Sequence, residues 1–89
     1  RTLNEMLEIG NDEILVMERM IHAESLEAVI DEINLSKPVI IDIVKQLLHH
    51  RYIKALDSSN KQKLTINMDA ILKVKFQLTA KGIKELESR

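Results

Sequence analysis

Apolar positions across residues 25–53 recur with a helical period, stop, and resume. Leu26, Val29, Ile30 and Ile33 stand at i, i+3, i+4 and i+7, which places them on one face of a helix. Ser25 precedes them, and its hydroxyl is positioned to accept a backbone N–H of the first turn. Asn34 follows the last apolar position, where a left-handed residue commonly ends a helix and Asn tolerates that conformation. Leu35 fills the corner and Ser36 is the expected cap of a second helix. Pro38 falls in that helix's first turn, where a missing N–H costs nothing. Ile40, Ile43, Val44, Leu47 and Leu48 then form a second stripe. The pattern predicts a helix-turn-helix.

Upstream, Thr2-Leu3-Asn4-Glu5 has the form of a capping box, Leu3, Met6 and Leu7 share a face, and Gly10 is the expected end of that short helix. Asn11, helped by Asp12 and Glu13, is the expected start of a longer helix reaching Ala23. Its apolar residues Ile14, Val16, Met17, Met20 and Ile21 span more than half the circumference, with Leu15 outside that arc. One core contact needs a narrower stripe, so this helix is expected to be sandwiched, by the first segment or by a second subunit. Downstream, Tyr52 to Leu56 reads as a strand and Asp57-Ser58-Ser59-Asn60 as a turn. Leu64 and Ile66 alternate with Lys63 and Thr65, as in a second of three strands, with an irregular loop over Lys61–Ile66 the alternative, and Asn67-Met68-Asp69 suggests another turn. Leu72, Val74, Phe76 and Leu78 alternate with Lys73, Lys75 and Gln77, as in a half-buried strand with a basic outer face. Thr79 opens a last helix with Ile83 and Leu86 inward. The expected core is Ile14, Ile21, Leu26, Val29, Ile30, Ile33, Leu35, Ile40, Val44, Leu47, Ile53, Phe76 and Leu78.

Asn34-Leu35-Ser36-Lys37, followed by an apolar-periodic helix ending His50-Arg51-Tyr52-Ile53, resembles the winged helix-turn-helix domains of bacterial and archaeal transcription regulators. Those run "G-L-S", a recognition helix, then "R-G-Y-I" into a wing strand. Phe76-Gln77-Leu78-Thr79-Ala80-Lys81-Gly82 is similar to the "Y-x-L-T-x-K-G" that closes the wing in MarR- and PadR-type regulators. The two matches span Ser25 to Leu86. Arg51 departs from the pattern, standing where the family often has Gly. The resemblance implies an α+β, mostly α fold: N-terminal helices over residues 1–24 with a possible dimerisation role, then a winged helix-turn-helix over 25–89, its extended wing at 52–79.

Composition narrows the chemistry. Among 89 residues there is no Cys, which excludes disulfides, thiolate metal sites and thiol catalysis. Tyr52 and Phe76 are the aromatic residues, so the core is aliphatic. No nucleophile elbow, phosphate-cradling glycine loop or zinc-binding His-Glu pattern is present, and two glycines leave little to build such a loop from. His49 and His50 are adjacent and point about 100° apart on a helix, away from the i, i+4 chelating arrangement. His22 is isolated. No enzymatic activity, metal or cofactor is expected. With no membrane-length apolar run and no signal-peptide pattern, a soluble, cytoplasmic protein is expected. A start at Arg1 and an end soon after a helix begins are those expected of a fragment.

Charge is distributed unevenly. Residues 1–44 carry three basic and ten acidic side chains, net −7; residues 45–89 carry ten basic and four acidic, net +6, and the total is −1. Such asymmetry points to an acidic partner, nucleic acid above all, on the basic side. In winged-helix regulators the recognition helix enters the major groove. On a wheel set by Ile40, its outward face here presents Pro38, Ile41, Asp42, Lys45, Gln46 and His49, flanked by Val39 and preceded by Lys37. Lysines suit phosphate or guanine, glutamine suits adenine, a carboxylate can accept from cytosine N4, and Val39 and Ile41 can meet thymine methyls. Lys61, Lys63, Lys73 and Lys75 of the wing would follow the flanking backbone. The expected partner is double-stranded DNA, bound by a homodimer. Ile41 and Asp42 equally fit a winged-helix module that contacts protein instead.

Overall fold

The structure, a computed structural model, describes residues 9–63 and 65–88. The expected Thr2–Glu5 capping box and the Leu3, Met6, Leu7 stripe lie outside the described residues, as does Leu64. The order of elements is α1 (Asn11–Glu18), β1 (Glu24–Ser25), α2 (Leu26–Glu32), α3 (Lys37–His49), β2 (Ile53–Leu56), β3 (Gln62–Lys63), a 3-10 segment (Met68–Lys73), β4 (Lys75–Leu78) and α4 (Ala80–Glu87). The fold is α+β, about half helical, with one four-stranded antiparallel sheet in the order β1-β4-β2-β3.

Local chemistry accounts for most of these boundaries. The Ser25 hydroxyl accepts from the Ala28 N–H at 3.2 Å and starts α2, as expected. Ser36 takes the cap position of α3 but its hydroxyl accepts no capping bond; its carbonyl accepts from the Ile40 N–H at 3.1 Å, and Pro38 sits in the first turn. α1 is capped at Gly10 rather than Asn11, and the Glu13 carboxylate accepts from the Gly10 N–H at 2.9 Å. α2 ends differently from expectation as well. Ile33 breaks it with extended backbone, φ −110° and ψ 135°, and Asn34 does not enter the left-handed region.

α1 stops at Glu18, short of Ala23, because the chain must swing Glu24 and Ser25 into the sheet beside β4. Ile21 therefore falls beyond the helix and is 46% exposed, which removes it from the expected core. Val16 and Met17 are buried where α1 packs against α3 and α4, and Met20 is buried just past its end, so two elements of the same chain account for much of its wide apolar arc. The other expected core residues sit inside or against the core, with Ile14, Ile30 and Leu35 half-buried.

The 57–60 turn forms through Asp57. Its carboxylate accepts from the Ser59 and Lys61 N–H groups at 2.8 and 3.0 Å, and Asn60 adopts φ 62°. The next stretch is not a long third strand. Asn67 caps the 3-10 segment, accepting from the Asp69 N–H at 3.0 Å, and β4 begins at Lys75. Ile71 and Val74, three apart and both buried, fit the 3-10 period, and this competes with the alternation running back from Leu78. β4 is then held on both sides: Phe76 pairs with Glu24 and Ala55, and the Leu78 N–H donates to the Met20 carbonyl at 2.8 Å.

Candidate nucleic-acid interface

α3 is fixed to the core by one face and leaves the opposite face open. Ile40, Ile43, Val44 and Leu47 are buried, while Lys37, Val39, Asp42, Lys45, Gln46 and His49 are exposed. Ile41 differs from expectation. It is half-buried and packs against the core, at the edge of that face. Val39 is 42% exposed, a large apolar side chain among polar ones. Near the centre, the Gln46 amide donates to the Asp42 carboxylate at 3.3 Å, one turn apart. A carboxylate only accepts, so the amide nitrogen must face it, and the Gln46 carbonyl oxygen is turned away. Among the described residues no cation lies within salt-bridge reach of Asp42.

The far end of α3 is fastened by a polar clasp. The Arg51 N–H donates to the Leu48 carbonyl at 3.0 Å and the Tyr52 N–H to the Leu47 carbonyl at 2.9 Å, the paired bonds of a Schellman ending. The Thr79 hydroxyl donates to the Arg51 carbonyl at 2.7 Å, and its oxygen also accepts from the Gly82 N–H at 3.1 Å, capping α4. The Thr79 N–H donates to the Tyr52 carbonyl at 3.0 Å. The Lys81 ammonium donates to the His50 carbonyl at 2.8 Å and lies 4.8 Å from the centre of the Tyr52 ring. Gly82 is needed for closeness: a Cβ there would collide with the Tyr52 carbonyl oxygen. The His50 ring stacks on Tyr52 at 6.3 Å and meets His49 edge-on at 5.2 Å, which ties His49 to the same corner.

The lysines expected after residue 60 are partly gathered. Lys63, Lys73 and Lys75 line one concavity of about 420 Å³ with Asp57 at its edge. Lys61, Lys73 and Lys75 are exposed and Lys63 is half-buried. Lys73 ends the 3-10 segment instead of sharing a strand with Lys75. Lys37 is set apart: it lines a separate concavity of about 450 Å³ with Lys73 and the carboxylates of Glu27, Asp31 and Asp69. A third, open groove of about 800 Å³ runs between the end of α3, the start of α4 and β2–β3. Arg51, Lys54, Lys63 and Lys81 line it, and among the described residues no acidic one does. Arg51 and Lys54 were outside the sequence-derived set; the one signal at this place was an Arg where the resemblance has Gly.

Among the described residues no helix is long and apolar enough to cross a membrane, and no group of three or more His, Cys, Asp or Glu is placed to hold a metal ion. No protein-family model, curated protein or solved structure matches this chain.

Proposed function

We propose that the chain is a winged helix-turn-helix domain of a transcription regulator that binds duplex DNA, with α3 in the major groove and the basic β2–β4 region along the flanking backbone. The observation that carries this reading is the split of α3: four buried aliphatic residues on one side, and exposed Lys37, Lys45, Gln46 and His49 on the other. A helix presented in this way can reach base edges, and Lys61, Lys63, Lys73 and Lys75 supply charge for the backbone. The fold by itself does not select the partner. Exposed Val39 and the Asp42 carboxylate, which no cation among the described residues reaches, support a second reading, a protein-contact module, because each is a poor neighbour for phosphate.

Titration of random-sequence duplex at several salt concentrations tests the choice. Backbone contacts release counterions, so affinity should fall steeply with salt. Lys63→Ala or Lys73→Ala should weaken binding to all sequences and reduce the log–log salt slope by about one each. Gln46→Ala should instead change the preference at one base pair by roughly 1–3 kcal/mol. A domain that binds no duplex at low salt is not a DNA-binding protein, and the protein-contact reading then stands. The working assembly in this proposal is a homodimer through the N-terminal helices. Leu15 and Ile21, both more than 40% exposed, are apolar side chains at or just past α1 open to a two-fold contact, and Ile83 of α4, expected inward, is 41% exposed as well. Sedimentation as a monomer at high micromolar concentration would remove that part of the proposal.

A further inference from the structure

Arg51 is held in the left-handed region, at φ 63°. It is the first residue past the C-cap His50 of α3, the position of a Schellman ending that glycine fills without strain and that a side chain bearing Cβ fills at a cost. Strain kept at an exposed position points to a use for the side chain. That use is suggested by the groove the side chain lines. Lys54, Lys63 and Lys81 share it, and among the described residues no carboxylate lines it. The Lys81 ammonium is already committed to the His50 carbonyl at 2.8 Å, which leaves Arg51, Lys54 and Lys63 to face a ligand.

We infer that this groove is a phosphate-binding track for the duplex backbone, anchored by Arg51, which carries the DNA contact beyond Lys61, Lys73 and Lys75 to the carboxyl end of α3. The inference rests on the DNA-binding reading above. An exposed guanidinium offers two parallel N–H groups to a phosphate, a match that lysine makes only as a point charge. Three cations, one just past α3, one on β2 and one on β3, line an open groove of about 800 Å³, room for a run of phosphates rather than for one small anion. The adjoining cluster of Lys63, Lys73 and Lys75 shares Lys63 with the groove, so the two basic surfaces are continuous.

Arg51→Gly separates charge from backbone, because the two consequences have opposite signs. Relief of the left-handed strain should raise the melting midpoint by about 4 °C. Loss of the guanidinium should weaken binding of a random-sequence duplex by about tenfold at low salt and reduce the log–log salt slope by about 0.9, one phosphate contact. Arg51→Lys should keep the slope of the wild type. Lys54→Gln, which leaves the backbone untouched, should lower the slope by a similar amount without a change in melting. If Arg51→Gly and Lys54→Gln bind duplex with the wild-type affinity and slope, the track is wrong while the DNA-binding reading survives. If the wild type binds no duplex at low salt, both fall. A variant Arg51→Gly that melts no higher than the wild type would show that the arginine is not strained, and the inference would lose its ground.

Discussion

The carboxyl end of α3 and its open face differ in kind. At its carboxyl end, the carbonyls of Leu47, Leu48, His50, Arg51 and Tyr52 each accept from a defined donor, and Thr79, Lys81 and Gly82 fit against them with little freedom. Along its open face, Lys37, Lys45 and Asp42 stand in solvent, and the bond from Gln46 to Asp42 is a long 3.3 Å. Of the residues that carry the resemblance to regulators, Asn34 to Lys37 lead into α3 and Phe76 and Gln77 lie in β4, while His50 to Ile53 and Leu78 to Gly82 are those of the clasp. They encode how α3 is fastened to α4 and the sheet. They say nothing about what the open face touches.

The largest effects should come from breaking the fastened side. Leu47 is fully buried on α3, and Leu47→Ala should cost about 2–5 kcal/mol through lost burial and a residual cavity. Gly82→Ala tests the clasp itself. Its methyl group would meet a backbone carbonyl and the Leu78 side chain at 3.0 Å, and a carbonyl held by Thr79 cannot yield cheaply. The expected loss is about 1–3 kcal/mol, on the scale of core overpacking, although alanine is the better helix former. Denaturant midpoints for both variants measure this. Wild-type stability in Gly82→Ala would mean that α3 and α4 are not clamped together and that the contrast between the fastened end and the open face is illusory.

Sequence reasoning reached the parts of the molecule governed by local rules. The stripes of α2 and α3, the Ser25 cap and the Asp57 turn are all fixed by neighbours a few residues away, and each is found where the spacing puts it. Errors arose where distant contacts overrule local ones. Helix α1 ends early because Glu24 and Ser25 pair with β4, some fifty residues later, and a two-residue strand has no pattern of its own. Leu72 was assigned to a strand because alternation and a spacing of three overlap there, and burial of Ile71 decides for the 3-10 segment. Among candidate interface residues, the polar face of α3 was legible from the wheel. The Arg51–Lys54–Lys63 groove was not, since it joins a helix end, a strand and its neighbour, and no periodicity links them.

Thr79 offers a graded test of the clasp. Its hydroxyl joins two elements at once, donating to the Arg51 carbonyl and accepting from the Gly82 N–H. Thr79→Ala removes a helix cap and leaves a carbonyl without its donor, for an expected loss of about 1–2 kcal/mol. Thr79→Ser keeps the oxygen and should recover most of it. Equal losses in the two variants would assign the effect to the methyl group's packing and leave the hydrogen bonds with no measurable part.

The smallest effect concerns the open face, and it decides whether that face meets phosphate. Asp42→Asn removes one negative charge near the middle of α3 but keeps an acceptor one turn from Gln46, so the side-chain pair can persist. Asp42 is exposed and holds no cation among the described residues, so folding stability should change by less than about 0.5 kcal/mol. Binding is another matter. A carboxylate a few ångströms from a phosphate in water is opposed by an energy on the order of 1 kcal/mol, less when salt screens it. Asp42→Asn should therefore tighten the binding of random duplex by about twofold to fivefold at low salt, with the gain shrinking as salt rises. The Gln46-dependent base preference should stay, because the amide keeps its neighbour. If affinity for duplex is unchanged, α3 does not present this face to DNA even if the basic groove binds it. If Asp42→Asn instead weakens capture of a protein partner, the open face is a protein-contact surface and Val39 becomes its apolar centre.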